Sequence, residues 1–203
     1  MKWDASSGKR PPTPSIVSPL PRTMRAMQAD YNVSGPLGSL SGRVCVWVAT
    51  GLGLGLVTPA PGTFAGLWGL GLAAAVALLS PIGAQVAVIV MLLLGAVLIC
   101  DIAARAMGSS GDPGAIVLDE IVVLPIVFLA GPPMNWTVLF TGYVLFRICD
   151  IWKPGLVRVA ERLPGGLGIV ADDAVAAVLA NLLLQILVWI DRAGGYEWFV
   201  PSV

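Results

Sequence analysis

The chain has 203 residues, of which 57% are hydrophobic and only 12% charged, and its mean hydropathy is +0.85. An ordinary soluble domain is about 45–50% apolar and about 25% charged, so a water-soluble globule is disfavoured and one compact domain with a bilayer as part of its solvent is expected. Charge balances at 12 basic and 12 acidic residues, and histidine is absent, which excludes Ser-His-Asp triads, HExxH zinc sites and histidine nucleophiles. Cys45, Cys100 and Cys149 form no CxxC pair, so neither a disulfide framework nor a zinc site is expected.

The zero net charge conceals a gradient. Residues 1–43 hold six basic residues against two acidic ones, and the remainder is acidic by the same margin of four. An apolar, acidic body lacks the clustered basic face that nucleic-acid binding needs. Grouped acids point to a cation instead.

In chain order, residues 1–42 contain six prolines, many serines and glycines, and no apolar run long enough to fold. They read as a disordered basic tail, and no apolar core of a signal peptide follows the early positive charges. Residues 43–203 read as the helical membrane domain. Its apolar segments fall at roughly 66–79, 82–100, 115–134, 136–149 and 174–190, with Ser80-Pro81 and Gly131-Pro132-Pro133 marking hairpin turns. The clearest span is Ile82–Cys100, close to the roughly 20 residues needed to cross the hydrocarbon core. Asn181 and Gln185, four apart, share a helix face from which they can hydrogen-bond a neighbouring helix.

With the basic tail placed in the cytosol, Asp101, Arg105, Asp112, Asp119, Glu120, Arg147, Asp150, Lys153, Asp172 and Asp173 all fall at one face, in or beside loops at 101–114 and 150–173. A carboxylate at the bilayer centre costs about 2.5–3.5 kcal/mol, so this sorting is what insertion energetics favour. The fold expected is all-α, a bundle of about four to five apolar helices with its charged residues gathered at one membrane face. No motif specifies an oligomeric state.

Four stretches can carry chemistry. Asp119-Glu120 lies inside an apolar run, and neighbours on a helix point about 100° apart, so the two acids need a third group between them. Otherwise they are a solvated helix start favoured by the dipole. Asp172-Asp173 follows a glycine-rich stretch, and Asp172 can be read as the N-cap of a helix from 174. Arg147 and Asp150 are one turn apart, with Lys153 a further turn on and Pro154 ending the helix. A guanidinium and an ammonium suit phosphate, although an Arg-Asp surface pair with a snorkelling lysine has the same pattern. Thr58-Pro-Ala-Pro-Gly-Thr63 opens a helix near 64 that Thr63 can cap, leaving backbone N–H groups for an anion.

Together, residues 49–64 (Ala-Thr-Gly-Leu-Gly-Leu-Gly-Leu-Val-Thr-Pro-Ala-Pro-Gly-Thr-Phe), 112–120 (Asp-Pro-Gly-Ala-Ile-Val-Leu-Asp-Glu), 146–154 (Phe-Arg-Ile-Cys-Asp-Ile-Trp-Lys-Pro) and 165–173 (Gly-Gly-Leu-Gly-Ile-Val-Ala-Asp-Asp) resemble, in order, the signature blocks of the phosphatidylglycerophosphatase A family. The resemblance implies a mainly helical, Mg²⁺-dependent phosphatase at the bacterial inner membrane that converts phosphatidylglycerophosphate to phosphatidylglycerol. Its partners would be the membrane and a phosphorylated phospholipid substrate, with a multi-pass topology and the site facing the cytosol. Val123 and Ala177 stand where the family pattern has glycine.

Exclusions agree with the resemblance. No CxxxxxR loop and no DxDx[TV] run exists here, which leaves a carboxylate-metal route. On that reading Asp119, Glu120, Asp150, Asp172 and Asp173 are the metal ligands and catalytic carboxylates, one of them a general base. Arg147, Lys153 and Thr63 bind the substrate phosphate, and Asp112 is a further candidate. A phosphohydrolase of another lipid or soluble ester, and a small transporter with intramembrane carboxylates, are the rival expectations.

Overall fold

The computed structural model describes residues 40–109 and 113–199, and all of its regular elements are helices. Most of the expected tail, and Asp112, lie outside the described residues. The elements are α1 (Leu40–Ala49), α2 (Leu54–Val57), α3 (Pro61–Ala77), α4 (Ile82–Ala106), α5 (Leu118–Phe128), α6 (Trp136–Trp152), α7 (Gly155–Ala160) and α8 (Gly166–Gly194). Helix α1 was not expected from the sequence.

The expected all-α class is borne out, and of the about four to five apolar helices expected, fewer are long. Among the described residues two helices are long and apolar enough to cross a bilayer, α4 with 25 residues and α8 with 29. Helices α3 and α6 have 17 residues each. The segment expected at 115–134 forms only the 11-residue α5, which at 1.5 Å per residue is about 16 Å long. Its length is set by Ala130, which turns left-handed at φ 55, and by the Gly131-Pro132-Pro133 that follows and cannot continue a helix.

Such a short helix is tolerable because α5 is the centre of the molecule. Val122, Val123, Leu124, Pro125, Val127 and Phe128 are buried, and α3, α4, α6 and α8 all pack against it. Its last carbonyls would be orphaned in an apolar interior. Instead, the Asn181 side-chain amide donates to the carbonyls of Val127 at 2.8 Å and Leu129 at 3.0 Å, and Gln185 donates to Ala130 at 2.9 Å. The hydrogen-bonding face expected at these two positions therefore caps a broken helix. Val123 and Ala177 are fully buried in the same core, so the bulk they add over glycine is used in packing.

Helix α4 runs through Asp101 and Arg105, which the sequence reading had placed in a loop; the two form an i,i+4 ion pair at 2.9 Å. Helix α8 begins at Gly166 rather than 174, so Asp172 is not an N-cap and both acids lie a full turn inside the helix. The cap comes from elsewhere: Asp101 Oδ1 accepts the Gly166 N–H at 3.1 Å. A Cβ on Gly166 would meet the Val97 carbonyl oxygen at 2.1 Å, so the α4/α8 contact needs the glycine. Helix α3 begins at Pro61 with Ala60 as its N-cap, which puts Thr63 inside the first turn, exposed, and not in the capping position.

The far end carries its own polar clasp. Asp191, buried, accepts the Trp198 N–H at 2.9 Å and the Phe199 N–H at 3.0 Å, while Asn135 caps α6 and donates to the Phe199 carbonyl at 2.7 Å. Outward faces are apolar: Val86, Val90, Leu94 and Leu98 of α4 and Leu182, Leu183, Ile186 and Trp189 of α8 are exposed. Only 22% and 33% of the apolar windows of α4 and α8 are buried, whereas the core helix of a soluble protein would bury most of its apolar stripe.

Candidate active site

The charged end of the molecule is built from the first turns of α3 and α5, the last turns of α4 and α6, and the second turn of α8. Asp119 and Glu120 open α5. Asp119 is 4% exposed and accepts the Glu120 N–H at 3.0 Å, so the pair is not a solvated helix start. The two acids diverge, as their 100° separation requires. Glu120 turns to α6, where Arg147 bonds its Oε2 at 2.7 Å, and Asp119 turns towards α8.

Helix α8 presents Asp172 and Asp173, 7% and 5% exposed. Asp119, Asp150, Asp172 and Glu120 all lie near enough to Asp173 to act on its charge. The five expected carboxylates, drawn from three helices, thus gather around one of their number. Among the described residues Asp173 has no basic partner within ion-pair distance.

Two cations are shared among the acids. Arg147 bridges Glu120 and Asp150, the latter at 3.1 Å, as the three-residue spacing allows. Lys153 bridges Asp172 at 2.9 Å and Glu161 at 3.0 Å. Glu161 was not among the expected site residues; it follows the short α7 and carries no spacing signal. Lys153 also departs from expectation. It is no further helical turn but the left-handed cap of α6, at φ 44 and ψ 62, immediately before Pro154. Burial disfavours its ammonium, but the hydrogen bonds it donates to Asp172 and Glu161 outweigh burial and push its pKa above the ordinary lysine value. Lys153 is a fixed positive charge at neutral pH.

Thr63 is at the rim. Its carbonyl accepts the Tyr143 hydroxyl at 3.3 Å, and its neighbour Gly62 lies so close to Glu120 that a Cβ would meet Oε1 at 2.2 Å. The glycine before Thr63 is what lets the α3 backbone approach the carboxylate.

Among the described residues no three Asp, Glu or Cys side chains lie close enough to enclose a metal ion. The side chains explain this, since Glu120, Asp150 and Asp172 are turned onto Arg147 and Lys153. The donor chemistry nonetheless fits a hard divalent cation, because every candidate ligand is a carboxylate oxygen. Arg147 and Lys153 are each divided between two carboxylates, and buried carboxylates are costly unless paired or coordinated to a cation.

An all-helical protein with apolar outer faces and a partly buried cluster of carboxylates, guanidinium and ammonium at one end is, as a class, equipped for charged chemistry at the edge of a lipid phase. The phosphatidylglycerophosphatase A family profile matches residues 47–188, and the chain belongs to that family. It is an enzyme of a phosphatase family. The chain is 40% identical over 141 residues to phosphatidylglycerophosphatase A of Haemophilus influenzae, covering 68% of this chain and 84% of the relative. It is 37% identical over 103 residues to phosphatidylglycerophosphatase A of Escherichia coli, covering 50% and 55%. A Bacteroides thetaiotaomicron protein provisionally named a phosphatidylinositol-3-phosphatase is 39% identical over 82 residues, covering 39% and 51%. No solved structure matches the chain.

Proposed function

We propose that this protein removes the terminal phosphate of phosphatidylglycerophosphate, giving phosphatidylglycerol, with Mg²⁺ as cofactor. The observation that carries the reading is that the family match encloses Asp119, Glu120, Arg147, Asp150, Lys153, Asp172 and Asp173, the residues that converge at the charged end. Asp119, Glu120, Asp150, Asp172 and Asp173 would hold the metal. Bound there, Mg²⁺ supplies positive charge for the phosphoryl oxygens and lowers the pKa of a coordinated water.

The chain's own residues do the rest. Arg147 offers a planar fork and Lys153 a point charge to the phosphate oxygens. Water attacks phosphorus as a carboxylate of the cluster takes its proton, the bond to the glycerol oxygen breaks, and that oxygen picks up a proton to leave as the free hydroxyl while inorganic phosphate is released. Asp173 suits the base role best, being buried and free of an ion pair. Thr63 stands where it can orient the phosphate from the rim. The acyl chains remain in the membrane while the headgroup meets the site, which suits a multi-pass protein of the bacterial inner membrane with its site on the cytosolic side. The basic residues of the N-terminal 43 favour that orientation.

The test is phosphate release from purified protein in mixed micelles containing phosphatidylglycerophosphate. Release should require Mg²⁺ and stop on chelation, and Asp173→Asn should lower it by about 10²-fold or more. Activity indifferent to chelator would reject the metal route. Sealed membrane vesicles extend the assay: added substrate should be turned over when the cytosolic face is outward and not in the opposite orientation. The Bacteroides relative supports a second substrate, phosphatidylinositol 3-phosphate, and the same assay compares the two headgroups.

A further inference from the structure

Beside the carboxylate cluster, and outside it, an open cavity of about 710 Å³ runs between the α1/α2 connection, α3 and α5. Its walls are Leu52, Leu67 and Trp68, its floor Leu118 and Ile121, and Gly51 and Gly71 leave it wide. The floor residues are three apart on α5 and so share one helix face; they belong to the same turn as Asp119 and Glu120. The lining is carbon almost throughout. The volume is that of a small-molecule site, about 300–1,000 Å³.

Leu52 gives a second, independent sign. It sits at φ 61 between Gly51 and Gly53, which are also left-handed, and its side chain is exposed. A bulky residue at positive φ is a strained outlier, and such strain collects at ligand clamps. Here it holds a leucine side chain out as one wall of the groove. Gly71 points the same way from α3: a Cβ there would meet nothing within 4 Å, so its side is empty space and not a packing contact.

We infer that this groove binds an acyl chain of the substrate lipid, so that the enzyme grips the tail beside the carboxylates as well as the phosphate. The inference rests on the phosphatase reading above. Lipid tails are as apolar as the groove, so the gain comes from shape-fitted packing of the chain against these side chains, and that contact anchors the headgroup at the charged end.

Gly71→Phe tests it. The substitution fills the groove from a helix position with free space, and it touches none of the charged residues. With long-chain phosphatidylglycerophosphate the variant should show a KM raised about tenfold, the equivalent of about 1.4 kcal/mol, and an unchanged kcat/KM on the deacylated headgroup. Leu52→Asn, which tolerates the left-handed backbone but puts an amide into the groove, should act in the same direction. Equal KM ratios in wild type and both variants would overturn the inference, leaving the groove to bulk lipid.

A binding measurement separates this from failure of the phosphatase reading. Detergent-solubilised protein is titrated with brominated-chain phosphatidylglycerol, and the Trp68 signal is isolated by difference against Trp68→Phe. Saturable quenching in the wild type that is lost in Gly71→Phe supports the groove even if no phosphate is released. Quenching that is unsaturable and identical in both rejects it.

Discussion

Lys153 shows what a single residue does at the charged end. Its left-handed backbone is unusual for a non-glycine residue, and the Pro154 that follows forbids continuation of α6. The conformation turns the ammonium back between Asp172 and Glu161. Lys153→Met should therefore lower thermal stability by about 1.5–3 kcal/mol, the worth of hydrogen bonds to charged groups, and should reduce phosphate release beyond what the folded fraction explains. Denaturation monitored alongside activity checks both, and Lys153→Arg should restore stability more than activity because a fork cannot copy the point charge.

The residue scale is also where the reach of sequence reading is plainest. Asp119 and Glu120 stand out as acids inside an apolar run, whereas Asp150 is marked by its spacing to Arg147, and Asp172 and Asp173 by forming a second acidic pair. Neither Glu161 nor the capping role of Asp101 was legible: Glu161 reaches Lys153 only because the chain folds back through α7, and Asp101 and Gly166 are 65 residues apart.

Among the elements, α5 is the one whose length misleads. The run 115–134 reads as a full crossing because Pro125 and the Gly131-Pro132-Pro133 break sit in otherwise apolar sequence. Only the three-dimensional enclosure by longer helices makes an 11-residue helix sufficient. Asn181→Leu tests the enclosure. It strips two hydrogen bonds from carbonyls at the end of α5, and stability should fall by about 1–3 kcal/mol. Gln185→Leu, whose single bond is more exposed, should cost less. Chemical unfolding of both variants in the same detergent gives the comparison, and equal effects would mean that the α5 end is solvated. Start sites were misread for a related reason: the α8 helix gains its first two turns from the Asp101 cap, which no local signal announces.

At the scale of the whole molecule, the polar and apolar parts are sorted along its length. The carboxylates, Arg147 and Lys153 occupy one end, and exposed Trp47 and Trp152 lie towards that end while Trp136, Trp189 and Trp198 lie towards the other. Tryptophans at both limits of an apolar zone are an interfacial pattern. Along α6, Trp136 and Trp152 bracket 17 residues, about 25 Å of helix, somewhat thinner than the about 30 Å hydrocarbon core. The acidic grouping and the apolar body were both readable from composition. The number of long helices was not, since hydropathy counts apolar residues without knowing which of them protein will cover.

The dependence of α5 on Asn181 and Gln185 has a consequence in time. A chain leaving the ribosome offers α5 some fifty residues before the side chains that complete it, as the separations of 52 to 55 residues in those bonds show. During synthesis α5 therefore waits, too short to insert by itself, until the final helix arrives and locks it in place. Nascent chains stalled before Asn181 should leave the segment 118–128 open to protease, and chains stalled beyond the C-terminus should protect it.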